Sequence, residues 1–299
     1  MGKALAEAFP QAQAVFEEVD AALGEKLTAI MWEGPADTLT LTENAQPALM
    51  AVSLAAMRVL EAEAGVDLKR DAKFVAGHSL GEYSALAAAG TFTITDTARL
   101  LRTRGRAMQQ AVPVGTGAMA AVLGLDAELV AKACEDAAQG EVVSAANLNG
   151  GGQVSIAGAK DAVARAGERA KALGARRVIP LPVSAPFHCA LMKPAEIRLA
   201  PELRALAVHD PRVPVVANVD ADVKRRAADA IEALVVQVSA PVLWESVVRR
   251  LASEGVTTYV EVGPGTALSG MVKRIHPEAT VMNIAGPEDL ATVQAQLHV

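Results

Sequence analysis

The 299 residues suffice for one large α/β domain or two average ones. Hydrophobic residues make up 52% and charged residues 21%, which excludes a disordered chain, a collagen-like fibre and a coiled-coil rod; with aromatics at 3%, the core falls to Ala, Val, Leu, Ile and Met. Acidic residues outnumber basic ones 34 to 28, a net charge of −6, so the dense Lys/Arg of a nucleic-acid binder is missing.

Helical periodicity runs from Gln11 to Leu23, stopping at Gly24, and from Glu43 to Ala64, with Pro47 expected in the first turn. Lys73 to Ala76 reads as a short buried strand, Gly77 as a tight turn, and the next helix extends to Ala89 before Gly90. Thr95-Asp96 is expected to open a helix that ends before Pro113. From Gly115 the order changes to strand 118–123, helix 127–138, strands 142–146 and 153–157 around a turn at Asn147 to Gly152, helix 162–173 and strand 177–181. That is βαββαβ, the ferredoxin-like unit. Strands near 213–217, 258–262 and 281–284 then alternate with helices. The expected fold is α/β: a hydrolase-like, doubly wound, mainly parallel sheet in a discontinuous body, residues 1–114 and 184–299, carrying a ferredoxin-like subdomain at 115–183.

Cys134 and Cys189 form neither a metal spacing nor a disulfide framework and read as small buried hydrophobes in a reducing compartment. Lys224-Arg225-Arg226 and Lys273-Arg274 read as solvated helix faces. The start lacks a signal-peptide core and a myristoylation pattern. The longest apolar stretch, Ala48 to Met57, is interrupted by Ser53, so a cytoplasmic protein without membrane attachment is expected.

One motif carries chemistry. Gly77-His78-Ser79-Leu80-Gly81 matches G-x-S-x-G, in which a sharp strand-to-helix turn projects a serine hydroxyl at a helix N-terminus. Both glycines are expected to relieve backbone crowding, and developing negative charge would meet free N–H groups and the positive end of the helix dipole. The competing reading is a serine that merely caps the helix. A serine nucleophile needs a base. Of five histidines, His78 adjoins the serine, His209 and His276 lie on charged, surface-like loops near prolines, and His298 is penultimate. His188, on the loop after Pro182-Val183-Ser184-Ala185-Pro186-Phe187, is the candidate base. Arg104 shares a helical stripe with Leu101, Met108 and Ala111, whereas Arg99, Arg102 and Arg106 fall on the opposite, solvated side. A guanidinium facing the core requires an anion, either an internal partner or a substrate carboxylate.

The run Gly77 to Leu86, with Arg104-Gly105, Phe187-His188, Gly115 to Ala121, Pro241 to Trp244 and Tyr259 to Gly265, resembles malonyl-CoA:acyl carrier protein transacylase along essentially the whole chain. The resemblance implies a ping-pong acyl transfer. Ser79 would attack malonyl-CoA, His188 would relay the proton, and the phosphopantetheine thiol of acyl carrier protein would collect the malonyl group. It further implies that Arg104 pairs with the malonyl carboxylate, that the Gln237 backbone carbonyl orients His188, and that the Leu80 N–H is an oxyanion donor. Gln46 and Asn149 would lie near the pocket, and Phe187 would favour malonyl over branched units. Neither a metal nor a bound organic cofactor is implied, and the chain is expected to act as a monomer. Lys193, Arg249, Arg250, Lys273 and Arg274 are candidates for docking the acidic carrier.

Family members open with an apolar strand and a Gly-Gln-Gly-Ser-Gln loop that supplies a second oxyanion contact; this chain starts in helix-like sequence at Gly2 to Phe9. The coding frame is therefore expected to continue upstream of Met1. Two other readings stand beside the transferase: a serine thioesterase or hydrolase on the same turn, and a weakly active, truncated partner-binding remnant.

Overall fold

The computed structural model describes residues 1–183 and 185–297. Its first third is helical: α1 (Lys3–Ala8), α2 (Pro10–Leu23), α3 (Leu27–Glu33), α4 (Ala36–Thr40), α5 (Thr42–Glu63), α6 (Leu68–Asp71), α7 (Leu80–Ala88) and α8 (Ile94–Gln110). β1 (Gly117–Leu123), α9 (Ala127–Ala137), β2 (Val143–Leu148), β3 (Gln153–Ala159), α10 (Lys160–Ala172) and β4 (Arg177–Pro180) follow. The remainder comprises α11 (Lys193–Ala205), β5 (Val215–Val216), β6 (Val223–Lys224), α12 (Ala227–Gln237), α13 (Trp244–Ser253), β7 (Thr258–Val262), α14 (Ala267–Ile275), β8 (Thr280–Ile284) and α15 (Leu290–Leu297).

The α/β class expected from the sequence is the one observed. β1 to β4 form a four-stranded sheet in the order β2-β3-β1-β4 with antiparallel pairs, the ferredoxin-like arrangement. Between it and the helices α9 and α10 lies a separate apolar core that includes Val122, Val130, Val154, Ile156 and Ala166. In the body, β7 and β8 pair in parallel, and Val75 bridges Val215 in parallel. The largest core joins α2, α5, α8 and α11 through residues such as Phe16, Met50, Leu101 and Leu199; each fully buried side chain of this size contributes about 1.5–3 kcal/mol.

Several local expectations change. Instead of a strand at 73–76 there is the single Val75 bridge, and the expected strand at 213–217 shrinks to the two residues of β5, each short because it meets only brief partners. α5 begins at Thr42, so Pro47 is its sixth residue and falls in the second turn, where no N–H reaches back to Glu43. α8 begins one residue before Thr95, because the Thr93 hydroxyl takes the Asp96 N–H at 2.9 Å and caps it. Asn147 and Leu148 belong to β2 beyond a register shift, leaving the turn to the glycines. Lys224 lies in β6 and Arg226 at the N-cap of α12, not on a helix face.

Arg102 is buried rather than solvated, paired with Glu25 and Asn44, because α8 packs on opposite sides at once. His276 is half-buried, with its Nδ1 3.1 Å from the Tyr259 hydroxyl. His209 is exposed and both cysteines are buried, as expected; His298 and Ser184 lie outside the described residues. Among the described residues no helix is long and apolar enough to cross a membrane.

Candidate active site

The turn before α7 is built by Gly77. A Cβ there would stand 2.0 Å from the Gly81 carbonyl carbon, so only glycine lets the chain fold back on the first turn of the helix. Gly81 differs from expectation: a Cβ on it meets nothing within 4 Å, so it leaves open space rather than relieving crowding. Ser79 sits between them with φ 53°, a region costly for a side-chain-bearing residue. Its strain is held from both sides. The Ser79 N–H donates to Asn218 Oδ1 at 2.7 Å, and its carbonyl accepts from Gln237 Nε2 at 2.9 Å. Ser79 occupies the N-cap position of α7, yet its side chain makes no capping bond. The helix-cap reading therefore fails, and the hydroxyl is directed elsewhere.

It meets His188, whose Nε2 is 2.7 Å from Ser79 Oγ. His188 is also at positive φ, 57°, and is 3% exposed. Its Nδ1 lies 3.0 Å from the Gln237 carbonyl and 3.2 Å from that of Ala240. Carbonyls only accept, so Nδ1 carries the proton and the Nε2 lone pair faces the serine. Burial, reinforced by the positive charge of Arg104, pushes the imidazole pKa from 6.5 down to about 3. A neutral imidazole so oriented can accept the serine proton.

Arg104 reaches the same hydroxyl from α8. It is 1% exposed, and its Nη2 donates to Ser79 Oγ at 3.1 Å and to Gln237 Oε1 at 3.0 Å, while Nη1 donates to Gln46 Oε1 at 2.7 Å. The guanidinium lies 5.3 Å from the centre of the Tyr83 ring. Among the described residues no carboxylate is within ion-pair distance of it, and its buried Nε has no partner. The internal salt bridge that would explain a core-facing arginine is thus not there. Gly105 makes the placement possible: a Cβ on it would fall 2.5 Å from Glu43 Cα, so α8 can lie close enough to α5 for Arg104 to meet Gln46.

Gln46, Ser79, Leu80, Arg104, Met108 and Phe187 wall a cavity of about 180 Å³, room for about six water-sized groups at ~30 Å³ each. Leu80 is the first residue of α7, where backbone N–H groups lack intrahelical acceptors. Asn149 is one step removed, with its Oδ1 2.9 Å from His78 Nε2. Two buried residues escaped the sequence reading, Glu82 and Asn218. The clue available for each was a single polar residue beside an apolar run. Of the basic candidates, Arg249 and Arg274 share a cavity of about 300 Å³, but Asp126 and Glu245 line it too. Lys193 pairs with Glu196, Arg250 with Glu254, and Lys273 donates to the Ala279 carbonyl.

An α/β scaffold that aims a strained serine at a neutral, buried histidine defines the acyl-transferring class of serine proteins. Residues 1–291 match the acyl transferase domain family. The malonyl CoA-acyl carrier protein transacylase of Escherichia coli (strain K12) is 48% identical over 287 residues, 96% of this chain and 92% of that protein. Its namesake from Bacillus subtilis (strain 168) is 45% identical over 291 residues, 97% of this chain and 90% of that one. The acyl-carrier-protein-S-malonyltransferase structure from Bartonella henselae superposes with a TM-score of 0.97 at 49% identity, covering 100% of this chain and 95% of its own. A malonyl-transacylase solved in complex with a type II polyketide acyl-carrier protein superposes at 0.95, with 43% identity over 99% of this chain and 94% of that one. This chain belongs to the acyl transferase family and, within it, to the malonyl CoA-acyl carrier protein transacylases.

Proposed function

We propose that this chain moves a malonyl group from malonyl-CoA to the phosphopantetheine thiol of acyl carrier protein through an ester on Ser79. The observation that carries the reading is the convergence on one oxygen: Ser79 Oγ has His188 Nε2 at 2.7 Å and Arg104 Nη2 at 3.1 Å. His188 Nε2 takes the hydroxyl proton as Oγ attacks the thioester carbonyl. The oxyanion forms at the α7 N-terminus, toward the Leu80 N–H. Collapse breaks the C–S bond, and the departing CoA thiolate takes the proton from Nε2. The carrier thiol then repeats the cycle in reverse, giving up its proton to His188 and releasing Ser79. The proton inventory closes on Ser79 and His188 alone.

Arg104 receives the malonyl carboxylate, with no carboxylate among the described residues in ion-pair contact and with Gln46 and Gln237 holding it in place. An acetyl group would leave that charge buried and unpaired, which is a stronger ground for rejection than an added methyl could supply. Phe187 closes the cavity against branched units. Asn149 acts one step away from the serine, holding the neighbouring His78 ring. The body is discontinuous, residues 1–114 and 184–299, around a subdomain at 115–183 with a core of its own. Product analysis with malonyl-CoA and phosphopantetheinylated carrier tests the reading. Malonyl on the carrier thiol is expected; free malonate as the main product would make the protein a hydrolase.

A further inference from the structure

Beneath the nucleophile turn lies a carboxylate that the transfer reaction does not use. Glu82 is 1% exposed, and Asn218 and Gln237 are fully buried. Glu82 Oε2 accepts from Gln237 Nε2 at 2.8 Å and from the Asn218 backbone N–H at 3.0 Å. The Gln237 amide therefore stands between Glu82 and Arg104, with its nitrogen toward the carboxylate and its oxygen toward the guanidinium. An amide has two unlike ends. Rotated by half a turn, it would set its NH₂ against the donors of Arg104 and its oxygen against the oxygen of Glu82. Two acceptors, Glu82 Oε2 at 2.8 Å and the Ser79 carbonyl at 2.9 Å, thus hold the nitrogen end of Gln237 away from the arginine, and Glu82 is the only side chain of the two. The amide also keeps Glu82 out of ion-pair contact with Arg104, so hydrogen-bond direction is passed on while the positive charge stays free.

We propose that Glu82 is a positioning residue for acyl-group selection: through Gln237 it fixes the polarity of the acceptor that holds Arg104 ready for a substrate carboxylate. The proposal rests on the reading that Arg104 binds that carboxylate. What Glu82 supplies is an acceptor lone pair at Oε2 rather than a charge. Burial pushes its carboxyl up to about 7, and the acceptor is present in both forms, since the neutral acid keeps that lone pair when the proton sits on Oε1.

The test compares kcat/KM for acyl-enzyme formation from malonyl-CoA and from acetyl-CoA in the wild type, Glu82→Met and Glu82→Gln. Glu82→Met, similar in length but with only a weak thioether acceptor, should lower the malonyl-to-acetyl ratio on the order of 10- to 100-fold, the range for a hydrogen bond serving a charged group. Glu82→Gln, which can place an amide oxygen where Oε2 stands, should restore the ratio. A purely structural role would reduce both substrates by one factor, and an unchanged ratio in Glu82→Met overturns the proposal. So does a Glu82→Gln ratio as low as that of Glu82→Met. Should Glu82→Met not fold, Gln237→Met cuts the same relay at its middle while keeping the carbonyl that holds His188; it must lower the ratio, and an unchanged ratio again overturns the proposal. Failure of the underlying reading looks different: the wild type itself would form the malonyl ester no faster than the acetyl ester.

Discussion

The sheet-and-helix unit of residues 117–180 and the nucleophile region of the body solve opposite problems. The first buries Val122, Val154, Ile156 and Val163 and carries its charges outside, as in the Lys132–Asp136 and Arg169–Asp136 pairs. The second buries Glu82, Arg104, His188, Asn218 and Gln237. Polar groups so placed are tolerable because most of their donors and acceptors pair with one another, and their arrangement sets one lone pair against the Ser79 hydroxyl while Ser79 and Arg104 line a small cavity. The unit thus supplies stability without chemistry, whereas the body supplies both. Changes in the unit should move stability and spare the reaction, while changes beneath Ser79 should do the reverse or both.

The largest effect short of removing the nucleophile should come from Gly77→Ala. A Cβ 2.0 Å from the Gly81 carbonyl carbon must open the turn, so soluble, active protein should be lost, whereas Gly81→Ala, with nothing within 4 Å, should fold. Parallel expression and melting of the two variants checks this; equal behaviour would remove the steric account of the turn. Arg104→Ala should come next, lowering malonyl kcat/KM on the order of 100-fold while narrowing the preference over acetyl. A mutant with wild-type preference would show that the arginine is not the carboxylate's partner.

A smaller effect concerns pH. Folding depresses the His188 pKa from 6.5 to about 3, so the unfolded chain takes up the proton first. This group's contribution to stability therefore declines as pH falls from 6.5 toward 3, while the neutral base persists through the same window. kcat/KM for acylation should show no limb at the ordinary histidine value; a limb near 6.5 would mean that the site is wet. The smallest change belongs to the other region. Ile156→Val should cost about 0.5–1.5 kcal/mol in denaturant titration with kcat/KM unchanged. A loss of activity would couple the two regions.

The same contrast explains what could be read in advance. The βαββαβ unit was legible because its signals are local: alternation along β1 and β3, helical stripes in α9 and α10, and glycine turns between them. Ser79, His188 and Arg104 were legible as residues out of place in their segments. Glu82 and Asn218 were not. Each is one polar residue beside an apolar run, and their shared hydrogen bond joins positions 136 apart, a distance no periodicity spans. Arg102 was misplaced for a related reason. Stripe counting assumes that one helix face meets solvent, but α8 is covered on opposite faces, so arginines at 102 and 104 are both buried.

The central claim is that Ser79, deprotonated by His188, carries the acyl group. Intact-mass measurement after mixing with malonyl-CoA, followed by peptide mapping, tests it most directly. The account predicts one malonyl group per chain, located on Ser79 and absent from Ser79→Ala. An adduct on any other residue, or an undiminished one on Ser79→Ala, would contradict it.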